Sequence, residues 1–371
     1  MRGLKILHAA DFHLDSPFEG LSASKAALRR GEQRDLLARF AALAQREKPD
    51  IVLLSGDIFD SSVFYAETGE ELVRCLRSIS SPVFVSPGNH DYYSTSSPWA
   101  RLPFPDNVHV FRDNAIKYCE LTALSCRVYG AAFTSAASGD LLQGKSAPEI
   151  EGITNVLCLH GEIASADSLY GPVSEEEIAC SGMDYIAFGH VHADSGLRRS
   201  GKTFYAWPGC PEGRGFDETG EKYVYITELG GGECSIRKES IAARRYEVLH
   251  VDVTSSDPLV AVNNSLADET MKDIYRIILT GETAEAPDMN RLKRNLSEYF
   301  FALQLRDETR RSTGLWDGAG SDSLRGIFLG KMKLLYDSAQ TDSERRSICR
   351  SVAWGLAALD NREEVSICDN P

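Results

Sequence analysis

Through residues 1–192, short apolar runs alternate with longer amphipathic stretches, and each apolar run stops at Asp, Asn or His. Leu4 to Ala10 ends in Asp11-Phe12-His13, and Ile51-Val52-Leu53-Leu54 runs into Ser55-Gly56-Asp57. Val83-Phe84-Val85 breaks at Ser86-Pro87-Gly88 into Asn89-His90-Asp91. Val156 to Leu159 meets His160-Gly161, and Tyr185 to Phe188 meets Gly189-His190-Val191-His192. Apolar runs this short, without alternation, read as strands buried on both faces. The polar residues that follow then project from the carboxyl edge of a sheet. Between the runs, Leu36, Leu37, Phe40, Leu43 and Ala44 recur at helical spacing until Lys48-Pro49 stops the pattern. Leu72, Val73, Leu76 and Ile79 mark a second helix over 66–79.

Short strands are predicted at 108–111 and 127–133, a polar loop at 135–152 and a short acidic helix at 174–179. Strands follow at 203–207 and 223–227, with a Gly-rich turn over 209–220 between them. Strands alternating with helices, then mostly strands, predict an α/β fold, a layered sandwich. Near Arg244 the composition shifts to a β-α-β-α-β pattern: strands at 246–253, 274–280 and 301–306, helices at 257–268 and 288–300. Residues 308–321 are polar and Gly-rich, and two amphipathic helices follow at 322–338 and 342–360. Leu324, Ile327, Phe328, Met332 and Leu335 make one stripe of the first, to pack on the chain's own body or to dock a partner. Three segments are expected: a large domain over 1–243, a small α+β domain over 244–308, and C-terminal helices over 309–371.

The chain has 371 residues, 43% apolar and 25% charged, enough for a large core without staples. Nine cysteines without a C-x-x-C pair argue against a zinc ribbon or a disulfide framework and fit a reducing cytosol. Asp11 interrupts the first apolar run too early for a secretory signal, and no stretch approaches the ~18 apolar residues of a membrane span. A formal net charge of -14 weighs against broad non-specific nucleic-acid binding. It does not exclude a nuclease, because bound divalent cations bring their own positive charge to the site.

Of eight histidines, five (His13, His90, His160, His190 and His192) sit at the strand ends. Asn89-His90-Asp91 alone reads equally as a capped turn. Five repeats of one design do not. Asp, Asn and neutral His suit Mn2+, Fe2+ or Zn2+. Two such cations roughly 3.5–4 Å apart share an anionic bridge, and a hydroxide between them attacks phosphorus in line. The leaving oxygen then needs a proton donor, a part suited to an unligated His.

Asp11-x-His13, Gly56-Asp57, Gly88-Asn89-His90-Asp91, His160 and Gly189-His190-x-His192 resemble, in order and spacing, the motifs of the calcineurin-like metallophosphoesterases. A narrower resemblance, to the DNA repair exonuclease branch and its bacterial SbcD-type nuclease subunits, rests on three stretches. They are His8 to Asp15, Gly56-Asp57-Ile58-Phe59-Asp60 and Pro208-Gly209-Cys210-Pro211-Glu212-Gly213-Arg214. The resemblance implies a four-layer α/β/β/α sandwich. It implies one metal on Asp11, His13, Asp57 and His192 and a second on Asp57, Asn89, His160 and His190, with Asp57 bridging. His90 is then the general acid, and Asp91 orients it. Archaeal and eukaryotic nuclease subunits carry a histidine three residues after the bridging Asp; Asp60 stands there in this chain. His8 is expected to pack beside the site. Asp15 is expected either to cap the next loop or to orient a ligand, and Arg214 either to reach a phosphate or to shape its turn. His109 and His250 lie on strands away from the motifs. Gly196 to Thr203 matches a P-loop pattern, but the following Phe204 to Pro208 read as a strand, so Ser200-Gly201 is a hairpin turn.

The implied function is two-metal hydrolysis of DNA phosphodiesters in repair, with two Mn2+ ions, an SbcC-like coiled-coil ATPase as partner, a possible homodimer and a cytoplasmic location. The resemblance makes 1–243 the metallophosphoesterase catalytic domain and 244–308 a cap domain with possible DNA contact. Arg291, Lys293, Arg294, Arg306, Arg310 and Arg311 supply a candidate track for the DNA backbone, the first three reading equally as a solvated helix face. The alternative is a phosphodiesterase or phosphatase for small substrates such as cyclic nucleotides, using the same centre.

Overall fold

The structure, a computed structural model, describes residues 3–267, 269–283, 285–311 and 314–359. The elements in chain order begin β1 (Leu4–Ala9), α1 (Ala23–Glu47), β2 (Ile51–Leu54), α2 (Ala66–Ser78), β3 (Val83–Val85), α3 (Pro98–Arg101) and β4 (Val108–Val110). Next come β5 (Lys117–Leu121), β6 (Cys126–Gly130), β7 (Thr154–His160), β8 (Glu162–Ile163), β9 (Pro172–Val173), α4 (Glu175–Cys180) and β10 (Tyr185–Gly189). β11 (Arg198–Ser200), β12 (Thr203–Ala206), β13 (Val224–Gly230), β14 (Glu233–Glu239) and β15 (Tyr246–Asp252) follow. The remainder is α5 (Pro258–Ser265), β16 (Ile274–Thr280), β17 (Glu282–Thr283), α6 (Met289–Leu296), β18 (Ala302–Asp307), β19 (Arg310–Arg311), α7 (Leu324–Ser338) and α8 (Asp342–Leu359).

Two six-stranded sheets carry the fold, in the orders β14-β13-β1-β2-β3-β4 and β11-β12-β10-β7-β6-β5. Strands β1 to β4 are parallel, as are β6, β7, β10 and β12. Parallel strands covered on both faces need apolar side chains facing both ways, which explains the unbroken apolar runs. In β1, β2 and β3, Leu7, Ala9, Val52, Leu54, Val83 and Val85 pack toward Leu36, Leu37 and Phe40 of α1 and Leu72 and Leu76 of α2. Ile6, Ile51, Leu53 and Phe84 turn the other way and meet Cys126, Val128, Val156, Cys158, Tyr185 and Ala187 of the second sheet. The outer face of that sheet, with Leu157, Leu159, Ile186, Phe188, Tyr205 and Trp207, is covered by Leu141, Leu142, Ala147 and Ile178 of α4. The result is the α/β/β/α sandwich the motifs imply, with a fourth layer that is mostly loop.

Register sets the site. Ala9 pairs with Leu54, Leu54 with Val85, and Gly189 with His160, so the parallel strands finish level with one another. The residues just past their ends therefore gather along one edge. The P-loop-like segment is the expected hairpin, with Ser200 paired to Thr203 across the β11–β12 turn.

By internal packing the chain divides into two units. The first is Met1–Leu249, Ala267–Arg276 and Leu296–Gln304; the second is His250–Leu266, Ile277–Asn295 and Leu305–Pro371. Within the second unit, Asp257 caps α5 by accepting from the Leu259 and Val260 N–H groups, and Ser323 caps α7 through the Gly326 N–H. α7 and α8 pack together, with Gly355 against the Phe328 ring.

Candidate metal centre

All seven expected ligands and His90 converge at the shared edge. Ligand atoms of Asp11, His13 and His192 lie within 4.8 Å of one another, as do those of His13, Asp57 and His90, and those of Asp57, His160 and His190. Asn89 joins them: its Oδ1 is 3.0 Å from His160 Nε2 and 3.2 Å from His190 Nδ1. Asp11, His13 and His160 are fully buried, and Asp57 nearly so.

The loops reach this geometry at a conformational cost. Asp11, His13, Asp57 and His190 have φ of 55°, 43°, 50° and 92°, in the left-handed region that side chains with a Cβ rarely occupy. Such strain collects where surrounding contacts over-determine the backbone for a site. Gly56 and Gly88 supply the room. Gly56 has φ 89°, and a Cβ there would run into the His160 ring; at Gly88 it would meet the Asp57 carboxylate.

The hydrogen bonds fix which ring nitrogens are free. His160 Nδ1 faces the Ser55 carbonyl at 2.9 Å, His13 Nδ1 faces Asp60 Oδ1 at 3.1 Å, and His192 Nδ1 faces Glu218 Oε1 at 2.7 Å. Each Nδ1–H donates to its acceptor, so the neutral ring points its Nε2 lone pair inward. The Nε2 atoms of His13 and His192 then face each other at 3.1 Å. Asp57 Oδ1 accepts from the His90 N–H at 2.9 Å. Its Oδ2 is buried without a hydrogen-bond partner, 3.4 Å from His160 Nε2 and 3.8 Å from His13 Nε2. An orphaned buried carboxylate oxygen is costly unless a cation satisfies it. This atom, with inward lone pairs on either side, fits a shared ligand between two divalent ions.

Burial dominates the electrostatics. It pushes the Asp11 carboxyl up to about 6 and lowers His13 and His190 to about 4. Burial also opposes charge on Asp57 and His160, but their mutual attraction prevails: the carboxyl is held below its ordinary range and the imidazole raised to about 9.

His90 is exposed, and its Nδ1 is 2.8 Å from the Asp60 carbonyl, so Nε2 is turned away from that anchor. The Asp91 carboxylate does not hold the His90 ring. It accepts from the N–H groups of Gly88, Ile58 and Phe59 at 2.9, 2.9 and 3.2 Å and ties two ligand loops together. Orientation of the ring falls to the Asp60 backbone instead. His8 packs beside the site as expected, bonded to the Tyr185 hydroxyl and the Phe188 carbonyl, and burial lowers it to about 3. Asp15 caps the next loop, accepting from the Tyr65 N–H and the Thr68 hydroxyl before α2. His109 lies on β4 against Phe84 and Phe111, and His250 on β15.

Three neighbours escaped the sequence reading. Glu218 is buried against His192, Glu162 Oε2 lies 3.8 Å from His190 Nε2, and the Tyr170 ring stacks on His190 with centroids 5.3 Å apart. Glu218 alone had a visible signal, as an acid inside the Gly-rich turn that carries Arg214.

With layers and site in place, comparison with known proteins is direct. Residues 4–194, more than half of the chain, match the calcineurin-like phosphoesterase family model. The chain belongs to the calcineurin-like phosphoesterases and is a metal-dependent hydrolase of that family. It is 28% identical over 335 residues to the uncharacterized metallophosphoesterase YhaO of Bacillus subtilis, covering 84% of this chain and 80% of that protein. It is 26% identical over 286 residues to the DNA double-strand break repair protein Mre11 of Aeropyrum pernix, covering 71% and 67%. With the SbcD subunit of the nuclease SbcCD of Bacillus subtilis it shares 24% over 270 residues, 62% of this chain and 67% of that one.

Proposed function

We propose that this chain hydrolyses phosphodiester bonds in DNA with two divalent cations, Mn2+ foremost, held by Asp11, His13, Asp57, Asn89, His160, His190 and His192. The observation that carries the reading is Asp57 Oδ2, buried and unpartnered between inward-facing histidines on both sides. Cations bound there would neutralise phosphate oxygens and make water a competent nucleophile at neutral pH. The chain's own residues supply the rest. Asp57, through its Oδ1, fixes the His90 backbone, and the Asp60 carbonyl fixes the His90 ring. His90 Nε2, at the exposed rim, holds the proton that the leaving oxygen takes. Asp91 acts by holding the Gly88 and Ile58 loops together.

DNA as substrate is supported by the relatives named as a double-strand break repair protein and a nuclease subunit, whose likeness runs over most of this chain. Segments of cap and terminal helices beyond the family core, over 244–308 and 309–371, support the same reading, since a small substrate has little need of them. On α7 and α8, Leu324, Ile327, Leu334, Leu335 and Trp354 are exposed, an apolar surface suited to an SbcC-like coiled-coil ATPase. Among the described residues no helix is long and apolar enough to cross a membrane, and eight cysteines are free, in keeping with a cytoplasmic location. A homodimer belongs to the same reading.

The test is purified protein with Mn2+ on linear DNA, alone and with its ATPase, beside a small chromogenic phosphodiester. Cleavage of DNA in either setting supports the proposal. Turnover of the small diester with none of DNA, metals confirmed bound, replaces it with a small-substrate phosphodiesterase.

A further inference from the structure

One group of charges beside the centre is not explained by ligation or by proton transfer. Arg214 gives its backbone N–H, Nε and Nη2 to Glu218 at 2.7, 3.3 and 2.6 Å, and its Nη1 to Asp60 Oδ1 at 3.0 Å. The two carboxylates it joins are the ones that face His192 Nδ1 and His13 Nδ1. The guanidinium lies 3.2 Å from His192 Nδ1 as well. Glu218 is 4% exposed, so this is a built interior network.

Its mounting is equally specific. Glu212, in the same loop, takes the Arg29 guanidinium of α1 at 3.0 Å and the Ala243 and Arg244 N–H groups. Arg29, fully buried, also donates to the Gly213 carbonyl at 3.2 Å. The loop is therefore bolted to the helix layer before it reaches the histidines.

The network serves one side of the centre. His160 Nδ1 is held by a neutral carbonyl of Ser55, and the Glu162 carboxylate lies 3.8 Å from the His190 ring, at Nε2. Of these rings, His13 and His192 are the ones whose Nδ1 meets a carboxylate in hydrogen-bond range, and their free Nε2 atoms are the pair that meets at 3.1 Å.

We infer that Asp60 and Glu218, locked together by Arg214, are positioning residues that set ring and tautomer of His13 and His192 and so prepare the site of one cation of the two. This rests on the two-cation reading above. A neutral imidazole with Nδ1–H anchored presents Nε2 to the metal; without an acceptor it rotates or takes the other tautomer. Arg214 keeps both carboxylates in place and balances one of their charges.

The experiment is a Mn2+ titration of the full-length protein by calorimetry and electron paramagnetic resonance, comparing wild type with Glu218→Ala, Glu218→Gln and Asp60→Ala. Wild type binds two Mn2+. Glu218→Ala binds one as before and the other about 10–100-fold more weakly, with loss of the coupled-pair spectrum. Glu218→Gln, which keeps an acceptor for Nδ1–H, recovers most of that affinity. Asp60 is a quarter exposed on its side chain, so Asp60→Ala, which removes the acceptor of His13 Nδ1–H, carries the test if Glu218→Ala does not fold. Two cations held with wild-type affinity in Glu218→Ala or Asp60→Ala overturn the inference, as does equal weakening of both. A wild-type protein that binds no pair overturns the two-cation reading itself.

Discussion

His90 is the one histidine of the centre that stands at the rim and whose ring contacts only a backbone carbonyl among its hydrogen bonds. Removing it leaves the seven proposed ligands untouched. His90→Ala is therefore expected to bind two cations as wild type does and to lose about 10²–10⁴-fold in kcat; metal content and turnover on one preparation check this. An unchanged kcat would remove the residue from the mechanism. His8, three residues upstream of Asp11 on β1, behaves oppositely. It is buried, Nε2–H donates to the Phe188 carbonyl, and Nδ1 accepts from the Tyr185 hydroxyl, so its neutral form is fully satisfied. Its pKa of about 3 lies below the ordinary 6.5. Between these values the unfolded chain takes up a proton that the native chain refuses. Stability is then complete above pH 6.5 and falls as pH drops toward 3, by up to about 1.4 kcal/mol per pH unit from this residue. Denaturant titrations at pH 7 and pH 5 should show His8→Gln losing about 2 kcal/mol less than wild type over that interval. Equal losses would show that His8 titrates like an exposed histidine.

At the scale of elements, the strand ends were legible because burial on both faces forces unbroken apolar runs, and the break to Asp, Asn or His is abrupt. Seven proposed ligands and His90 could be placed from that pattern and the family resemblance together. The edge strands β5 and β14 were not, for a physical reason. Tyr118 is exposed, charged side chains line β14, and an edge strand so decorated carries no apolar signature. Glu218 was illegible as a partner of His192 because its contact depends on how a Gly-rich turn folds back, which periodicity does not encode. The same limit explains Asp91: next to His90 in sequence, it spends its carboxylate on three N–H groups of two loops. Loop approach also yields a prediction. Gly88 passes against the Asp57 carboxylate, where a methyl group has no room. Gly88→Ala is expected to push the Asp57 and Asn89 loops apart, weakening both cations rather than one, at a stability cost of about 1–3 kcal/mol. Cation titration and thermal melts check this, and a variant with wild-type binding would mean the loops are not tightly juxtaposed.

At the scale of the whole molecule, the net charge of -14 has to be reconciled with the proposed polyanionic substrate. The two proposed cations would answer for the scissile phosphate but not for the rest of the duplex. Arg291, Lys293 and Arg294 on α6, Arg306 on β18 and Arg310 on β19 are the proposed track within the described side chains, while the Arg311 side chain lies outside them. Arg291 is more than half exposed and already meets Asp257 at 3.5 Å, a surface pair too weak to withhold it from a phosphate. Each phosphate neutralised by one such side chain contributes about −0.9 to the slope of log K against log salt. A chain that uses this track should therefore show a moderate slope, about −4 to −5, not the steep dependence of a basic DNA-binding protein. Arg291→Ala with Arg294→Ala should flatten it by about 2 and weaken all DNA sequences alike, while turnover of a small phosphodiester stays the same. Fluorescence anisotropy of a labelled duplex from low to moderate salt, with catalysis blocked by His90→Ala, measures the slope. If the slope does not change in the double variant, the α6 track is not where DNA lies, and the few contacts an acidic chain can offer must be sought on another face.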